Sequence, residues 1–521
     1  MDQDPEQPGD HSLSAEAAAD VHTVTSGGGV QIAGQLSARG VSMLFTFIAI
    51  RVLGNAGYGL YRLVSQVLAI AGQLGLAGFN YAAMRWIAKA RAAGDHGGVR
   101  GAARVGFAGM GIASAVVTIL FVVFAGELAA GFESDPGRQV ELANLFRIGA
   151  AYIPLFAAMQ VLRYCTQAYR TMVPSVIVGN IIQPLTRFVL GVGALALGLA
   201  VTGAVSTLVM STGLAAIAGV WYYQRILTAE ERAATPHSKP GEMVRFALPQ
   251  SGASLLGIQA LGLGVIILGV LRSNREVGLF GLALSMQGPG GVFLSGILNI
   301  WAPVVSDLHH KGEMDRLESL YKTITRWVAT FSFPIFAALI LEPDLFTWIT
   351  GGTKALDAAP VVAILAAGNF FYTGSGPSGY VLSMTGRPTV NFLNSLGGVI
   401  LYAGLGFWLV PRHGIVGMAV VDAVVTALVN IAKVIEVKIL VGVQPFGRSF
   451  LKPVIATIAG AAALLAWRLV PGNDRWLEAL GVAVAAVVYV VVLRSMGLDA
   501  EERHVWDRIR RRVSRSGRKR R

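Results

Sequence analysis

Charged residues are scarce in this sequence. They make up 14% of the 521 residues, whereas soluble proteins carry about 25%. Hydrophobic residues account for 54% of the chain, and the mean hydropathy is +0.59. This balance excludes a large soluble enzyme and indicates a protein that crosses a membrane many times.

Cysteine is nearly absent, since Cys165 is the single cysteine of the sequence. One cysteine excludes an internal disulfide and a cysteine-based metal cluster. The sequence also lacks the G-x-x-x-x-G-K-[ST] pattern of a P-loop, and it shows no paired-carboxylate, Ser-His-Asp or metal-ligand constellation. It therefore predicts no catalytic residue, no metal and no cofactor, and it favours transport driven by a gradient.

The basic charge is unevenly distributed. Of the formal net charge of +13, none comes from residues 1–26, which contain six acids and no Lys or Arg. Residues 498–521 contain ten Lys and Arg against four acids. A basic segment directly after a last apolar helix is typical of a cytoplasmic tail that faces anionic lipid. We therefore expect anionic lipid, and no nucleic acid, as the partner of this tail.

Apolar segments long enough to cross a bilayer recur along the chain. A crossing needs about 20 apolar residues, and the sequence predicts fourteen such spans. The predicted fold is an all-α polytopic membrane protein with two pseudo-symmetric six-helix lobes and two C-terminal helices. Its predicted parts are a disordered acidic cytoplasmic tail (1–29), the N-lobe (30–226), a cytoplasmic inter-lobe loop (227–243), the C-lobe (244–440), the two last spans (441–497) and a basic cytoplasmic tail (498–521).

The two lobes contain a weak internal repeat. The residues Asn55, Gly59, Leu60 and Tyr61 recur as Asn274, Gly278, Leu279 and Phe280, at an offset of 219. Further matches follow in order at slowly falling offsets: Gly94 with Gly312 at 218, Glu127 with Asp344 at 217, and Pro174 with Pro388 and Gly203 with Gly417 at 214. Ordered matches of this kind indicate two homologous halves.

The loop charges predict the orientation. Lys and Arg are concentrated in the loops on the side of the two termini, with Arg85, Lys89, Arg225 and Lys239 among them. An excess of Lys and Arg marks the cytoplasmic side of a membrane. We therefore expect a multi-pass protein of the plasma membrane with both termini in the cytoplasm.

Ionisable residues inside the predicted spans are candidates for function. Arg39, Arg147 and Arg187 lie in spans one, four and five, where a charge at the bilayer centre costs about 2.5–3.5 kcal/mol. Residues equivalent to these arginines in the C-lobe are apolar, such as Ile258 opposite Arg39. The three arginines are therefore predicted to bind an anionic substrate in a cavity. The alternative is that they snorkel to the interface or donate hydrogen bonds to helix carbonyls.

Asp422 is the one acid clearly inside a C-lobe span, and it is predicted to bind the coupling ion or proton. It could equally pair with an arginine or lie at the outer rim. Gly and Pro clusters predict helix breaks at three places, namely residues 183–184, 288–291 and 374–377. Such breaks are typical of hinges and cavity walls in transporters.

The segment 51–88 carries a resemblance to a known family. Its elements are Val52-Leu53-Gly54, then Tyr58-Gly59, a long apolar helix, Gly75-Leu76 and the basic exit at Arg85. This order resembles the polysaccharide-biosynthesis flippases, which belong to the superfamily of multidrug extruders and lipid II flippases. The resemblance extends over residues 31–496. It implies two six-helix lobes arranged as a V around a charged central cavity.

The resemblance implies a flippase that translocates polyprenyl-pyrophosphate-linked oligosaccharide by alternating access, for surface polysaccharide biosynthesis. A polysaccharide polymerase and glycosyltransferases are then the expected protein partners. Two alternatives within transport are a lipid II flippase and a multidrug-type transporter. An alternative of another class is a membrane glycosyltransferase or polymerase, which the short predicted outer loops disfavour.

Overall fold

The computed structural model describes residues 15–169, 171–255, 262–472 and 474–497, and in these ranges it contains helices and no β-strand. The N-terminal helices are α1 (Ala15–Leu76), α2 (Phe79–Ala92), α3 (His96–Val123), α4 (Ala125–Ala130), α5 (Pro136–Gly149), α6 (Tyr152–Gln167), α7 (Val173–Val176), a π-helix (Ile177–Ile182), α8 (Gln183–Ala196), α9 (Ala200–Ile226) and α10 (Ala229–Ala233). The C-terminal helices are α11 (Pro240–Leu255), α12 (Leu263–Leu271), α13 (Asn274–Lys311), α14 (Met314–Leu341), α15 (Pro343–Gly351), a 3₁₀ helix (Gly352–Ala358), α16 (Ala359–Gly374), α17 (Ser378–Met384), α18 (Pro388–Leu440), a second 3₁₀ helix (Arg448–Phe450), α19 (Leu451–Trp467) and α20 (Arg475–Ser495).

Eleven helical stretches of the described chain are long and apolar enough to cross a membrane. Two of them, with 44 and 53 residues, each contain one glycine with non-helical angles: Gly54 (φ 70°, ψ 174°) and Gly414 (φ 56°, ψ −137°). A crossing takes about 20 residues, so each stretch is long enough for two crossings joined at its glycine. The prediction of a polytopic all-α membrane protein is confirmed, while the count of fourteen spans stays a prediction.

Positions matched by the sequence repeat share backbone features. Gly94 and Gly312 both have positive φ, 68° and 75°, and each directly precedes the N-cap residue of a long helix. Ala200 (φ 46°) and Gly414 (φ 56°) differ by the same offset of 214 and also share a positive φ. A positive φ is uncommon outside glycine, so these coincidences agree with two related halves.

The apolar cores show how the halves meet. We call the end of the molecule that carries residues 51–61 the hairpin face. Near this face one cluster of buried residues includes Leu63 and Leu68 of the N-lobe together with Leu268 and Phe280 of the C-lobe. Toward the opposite face the core divides into separate clusters, one around Leu76, Ile87 and Val161, and one around Trp301, Tyr321 and Val437. The lobes therefore share their main core at the hairpin face, while α11 also packs on the N-lobe cluster through Met243 and Ala247.

Two N-lobe elements differ from the predicted pattern. Helix α1 begins at Ala15, because the segment AEAAAD is rich in alanine, the best helix former. The predicted fourth span is divided into α5 and α6, since Pro154 lies in the first turn of α6, where its missing N–H is tolerated.

One of the three predicted helix breaks is present, because α16 ends at Gly374, ahead of Gly376 with φ 60°. At Gln183 and Pro184 the backbone stays helical, and the π-helix that ends at Ile182 leads directly into α8. The break predicted at 288–291 is absent, because α13 continues through this segment. Membrane helices tolerate an internal proline, and the hydroxyl of Ser332 links α14 to this segment by donating to the carbonyl oxygen of Gly290 at 2.6 Å.

The inter-lobe loop is attached to the N-lobe. Glu231 of α10 is 2% exposed, and its carboxylate accepts hydrogen bonds from Arg91 Nε at 3.2 Å and from the Tyr169 hydroxyl at 2.9 Å. Burial and the Glu231 carboxylate together raise the pKa of Tyr169 above its ordinary value. Farther along, His237 Nε2 lies 3.0 Å from Asp95 Oδ2. The loop therefore moves with the N-lobe.

Glu231→Gln is expected to loosen this loop. The substitution leaves Arg91 without its carboxylate, and a hydrogen bond to a charged group contributes about 1.5–3 kcal/mol. Limited trypsin digestion should then cut within residues 227–243 several times faster than in the unmodified protein. The exposed neighbouring acid supplies the matched control, Glu230→Gln, which should digest at the original rate. Equal digestion of both variants would contradict the attachment.

Candidate functional site

Two cavities lie between the lobes. The first, of about 330 Å³, is closer to the hairpin face, and the second, of about 280 Å³, extends along the C-lobe. Both cavities are lined by the same four residues at their junction: Arg39, Arg62, Leu284 and Gly288. The two cavities are therefore adjacent, with two guanidinium groups at their common boundary.

Arg39 and Arg62 carry the charge at this junction. Arg39 belongs to the first segment of α1, and its side chain is exposed to the cavity. A Cβ at Gly288 would lie 3.0 Å from Arg39 Nη1, so the glycine leaves room for the guanidinium. Arg62 Nε is buried without a hydrogen-bond partner. Within the described residues, no carboxylate forms an ion pair with either arginine.

The repeat explains why Arg62 fits at this position. Its equivalent at the offset of 219 is Gly281, and the two residues face each other across the lobe interface. A Cβ at Gly281 would lie 2.8 Å from Arg62 Cγ. The C-lobe glycine thus accommodates the stem of the N-lobe arginine. At this pair the N-lobe therefore supplies a cation and the C-lobe a glycine.

Arg187 lines the first cavity from the other side. It follows the π-helix Ile177–Ile182, a helix type frequently found at functional sites. Its guanidinium donates a hydrogen bond to the Tyr61 hydroxyl, and the rings of Phe45 and Tyr61 each lie 5.5 Å from it. Arg187 Nε is buried and has no hydrogen-bond partner. The guanidinium of Arg187 is thus held in place, and its Nε–H group still has no acceptor.

Arg147 lies apart from both cavities. It is an exposed residue in the last turn of α5, and its guanidinium donates to Asn144 Oδ1 at 3.2 Å. The geometry gives no support to a substrate contact by Arg147, because its side chain is exposed and lines neither cavity. Ile258, the predicted apolar counterpart of Arg39, lies outside the described residues.

Two further N-lobe arginines, Arg62 and Arg163, are not among the predicted site residues. In the sequence, Arg62 is the one Lys or Arg between Tyr61 and Gly78. Arg163 of α6 has a structural environment, since it donates to the Ser175 carbonyl oxygen at 3.1 Å and to Gln160 Oε1 at 2.8 Å. It thereby secures the segment that leads into the π-helix.

Asp422 lines the second cavity from the C-lobe. Its carboxylate accepts a hydrogen bond from the Tyr402 hydroxyl at 2.9 Å. Neutral oxygen-bearing side chains line the same cavity, among them Gln287, Asn369 and Thr426, and Gln287 Oε1 is buried without a donor. The described residues contain no cluster of three or more His, Cys, Asp or Glu. The cavity therefore has cations at its junction and one carboxylate on its C-lobe wall.

Comparison with known proteins agrees with this architecture. The sequence profile of the polysaccharide biosynthesis proteins matches residues 24–309, more than half of the chain. Among curated proteins, Stage V sporulation protein B of Bacillus subtilis (strain 168) is 21% identical over 498 residues, which cover 89% of this chain and 93% of that protein. Teichuronic acid biosynthesis protein TuaB of the same organism is 22% identical over 402 residues, covering 74% and 79%.

Solved structures share the fold. The lipid II flippase MurJ in an inward closed conformation superposes with a TM-score of 0.72 at 9% identity, covering 88% of this chain and 96% of that one. An inward-facing multidrug resistance transporter of the MATE family gives 0.63 at 16% identity, covering 82% and 98%. The first of these neighbours is a flippase and the second is a transporter, and this chain shares their fold. The chain is a polytopic membrane protein and belongs to the family of polysaccharide biosynthesis proteins.

Proposed function

We propose that this protein flips a polyprenyl-pyrophosphate-linked oligosaccharide across the plasma membrane, for surface polysaccharide biosynthesis. The observation that carries the proposal is the pair Arg39 and Arg62, which share a cavity between two lobes and have no carboxylate partner among the described residues. A charge inside the membrane costs about 2.5–3.5 kcal/mol. A pyrophosphate in the cavity supplies the missing counter-charge.

The chemistry of arginine suits this ligand. A guanidinium remains charged at any working pH, and its planar fork donates two parallel hydrogen bonds to phosphate oxygens. Arg187 adds a third cation on the opposite wall of the first cavity. In our proposal Arg39, Arg62 and Arg187 hold the headgroup while its lipid tail stays in the bilayer. The sugars occupy the remaining polar cavity.

Alternating access of the two lobes moves the headgroup. The shared core at the hairpin face and the separate cores at the opposite face support this proposal, because such a joint allows the lobes to rock. In this proposal the opposite face and both termini lie in the cytoplasm, and the excess of Lys and Arg in the loops on that side supports this orientation. Substrate then enters from the cytoplasmic leaflet, and the basic tail (498–521), which lies outside the described residues, binds anionic lipid.

Asp422 is proposed to couple transport to an ion or proton gradient. A half-buried carboxylate with hydroxyl and amide oxygens around it suits a small cation or a proton. Because Asp422 and the two arginines line the same cavity, binding at one position changes the electrostatic energy at the other. Cation binding is therefore linked to the occupancy of the phosphate site.

A lipid II flippase is the second candidate, because the chain shares its fold with MurJ and lipid II also has a pyrophosphate. A multidrug substrate fits less well, since an arginine-lined cavity disfavours cationic compounds. The glycosyltransferase alternative is disfavoured by the fold that this chain shares with a flippase and a multidrug transporter. In the proposed pathway, glycosyltransferases supply the lipid-linked oligosaccharide and a polysaccharide polymerase uses it after translocation.

Deleting the gene tests the proposed substrate. The deletion strain should accumulate a lipid-linked oligosaccharide in the inner leaflet and lose its surface polysaccharide, and the intact gene should restore both. Lipid extraction with mass spectrometry identifies the accumulated compound. Accumulation of lipid II in its place would support the second candidate, and an unchanged lipid pool would contradict both.

A further inference from the structure

The lobes touch backbone to backbone at the hairpin face. A Cβ added at Gly59 would lie 1.6 Å from the carbonyl oxygen of Asn274. A Cβ added at Gly278 would lie 2.1 Å from the carbonyl oxygen of Asn55. No real Cβ approaches an oxygen so closely, so both positions require glycine in this arrangement.

The contact is reciprocal with respect to the repeat. Asn55 and Gly59 correspond to Asn274 and Gly278 at the same offset of 219, and each glycine meets the asparagine of the other lobe. A pseudo-two-fold axis therefore passes between them. One helical turn farther in, the same offset pairs Arg62 with Gly281 at the cavity junction. The contact thus lies directly over the substrate site.

Polar bonds between the lobes surround this contact. The side chain of Asn55 donates to the Lys354 carbonyl oxygen at 2.7 Å, and Arg51 Nη2 donates to the Ile349 carbonyl oxygen at 2.9 Å. Small residues let membrane helices approach closely, and the energy comes from packing and hydrogen bonds. Each of these interactions is lost when α1 and α13 separate at this face, so the contact stabilises one conformational state of the transporter.

We propose that the reciprocal contact of Gly59 and Gly278 is the outer gate, which seals the cavity in this state and opens in each transport cycle. The inference rests on the proposed function for the direction of transport. Alanine at either glycine cannot be accommodated in the closed gate, because its methyl group meets a backbone carbonyl. Gly59→Ala and Gly278→Ala therefore shift the protein toward a state that is open at the hairpin face.

Cysteine accessibility tests the gate. Ser42→Cys places a thiol on the wall of the first cavity, and Cys165→Ala removes the native cysteine. A membrane-impermeant maleimide is then added outside intact spheroplasts. We expect Gly59→Ala and Gly278→Ala each to label about tenfold faster than the parent. A tenfold change corresponds to a shift of about 1.4 kcal/mol in the equilibrium between the closed and open states.

Matched controls are available in both lobes. Gly193 and Gly404 are helical glycines with nothing within 4 Å of an added Cβ. Gly193→Ala and Gly404→Ala should therefore label at the parental rate. If the gate variants, present at normal amounts in the membrane, also label at the parental rate, the proposal is overturned.

A cross-link tests the gate without changing either glycine. The pair Asn55→Cys and Lys354→Cys is joined across the lobes by a reducible bifunctional thiol reagent. Export of the oligosaccharide should stop on cross-linking and resume after reduction, and continued export by the cross-linked protein would overturn the gate.

The labelling experiment needs no substrate. Failure of the parent to move oligosaccharide would therefore refute the proposed function and leave the gate result standing.

Discussion

Replacing Arg39 and Arg62 together with glutamine is expected to abolish oligosaccharide export. Glutamine keeps hydrogen-bonding capacity but removes the charge that balances the pyrophosphate. A hydrogen bond to a charged group contributes about 1.5–3 kcal/mol, so each single substitution should reduce export about tenfold or more. The measurement is surface polysaccharide and inner-leaflet lipid-linked oligosaccharide in the deletion strain, with equal amounts of each variant in the membrane.

The position of the charge, and not its mere presence, is decisive in this experiment. Arg147→Gln removes the same charge from an exposed residue that lines neither cavity, and it should export normally. Arg62→Lys keeps the charge but loses the planar fork, so an intermediate rate is expected. Normal export by the double variant, or an equal loss in Arg147→Gln, would refute the cavity site.

Asp422→Asn is expected to eliminate gradient-driven export. The amide keeps the size of the carboxylate but cannot take up a proton or neutralise a bound cation. Tyr402→Phe removes the hydrogen bond to Asp422 and should reduce export to a smaller extent, since the carboxylate itself remains. Export by proteoliposomes under imposed sodium or proton gradients distinguishes the coupling ion.

A second acid on the same helix provides the control for Asp422. Glu436 of α18 is hydrogen-bonded to Asn394 and lines neither cavity. Glu436→Gln should respond to gradients like the unmodified protein. If Asp422→Asn still exports in response to a gradient, Asp422 is not the coupling residue.

The candidate site was only partly predictable from the sequence. Arg39, Arg187 and Asp422 were recognisable because an ionisable residue in an apolar span is rare. Depth in a span does not specify which way a side chain faces, so Arg147 could not be distinguished from them. The position of Arg62 at the cavity could not be predicted from the sequence, because its contact with Gly281 depends on how α1 and α13 cross.

The sequence by itself determined that this is a helical membrane protein built from two related halves. Hydropathy and the ordered repeat are one-dimensional properties, and each apolar span must satisfy its own backbone hydrogen bonds as a helix. The tertiary structure alone decided which helices meet, and hence that Arg39 and Arg62 share a cavity. It also decided that Gly59 faces Asn274 while Gly278 faces Asn55. Contacts between helices depend on packing across the lobe interface, which no local pattern of residues encodes.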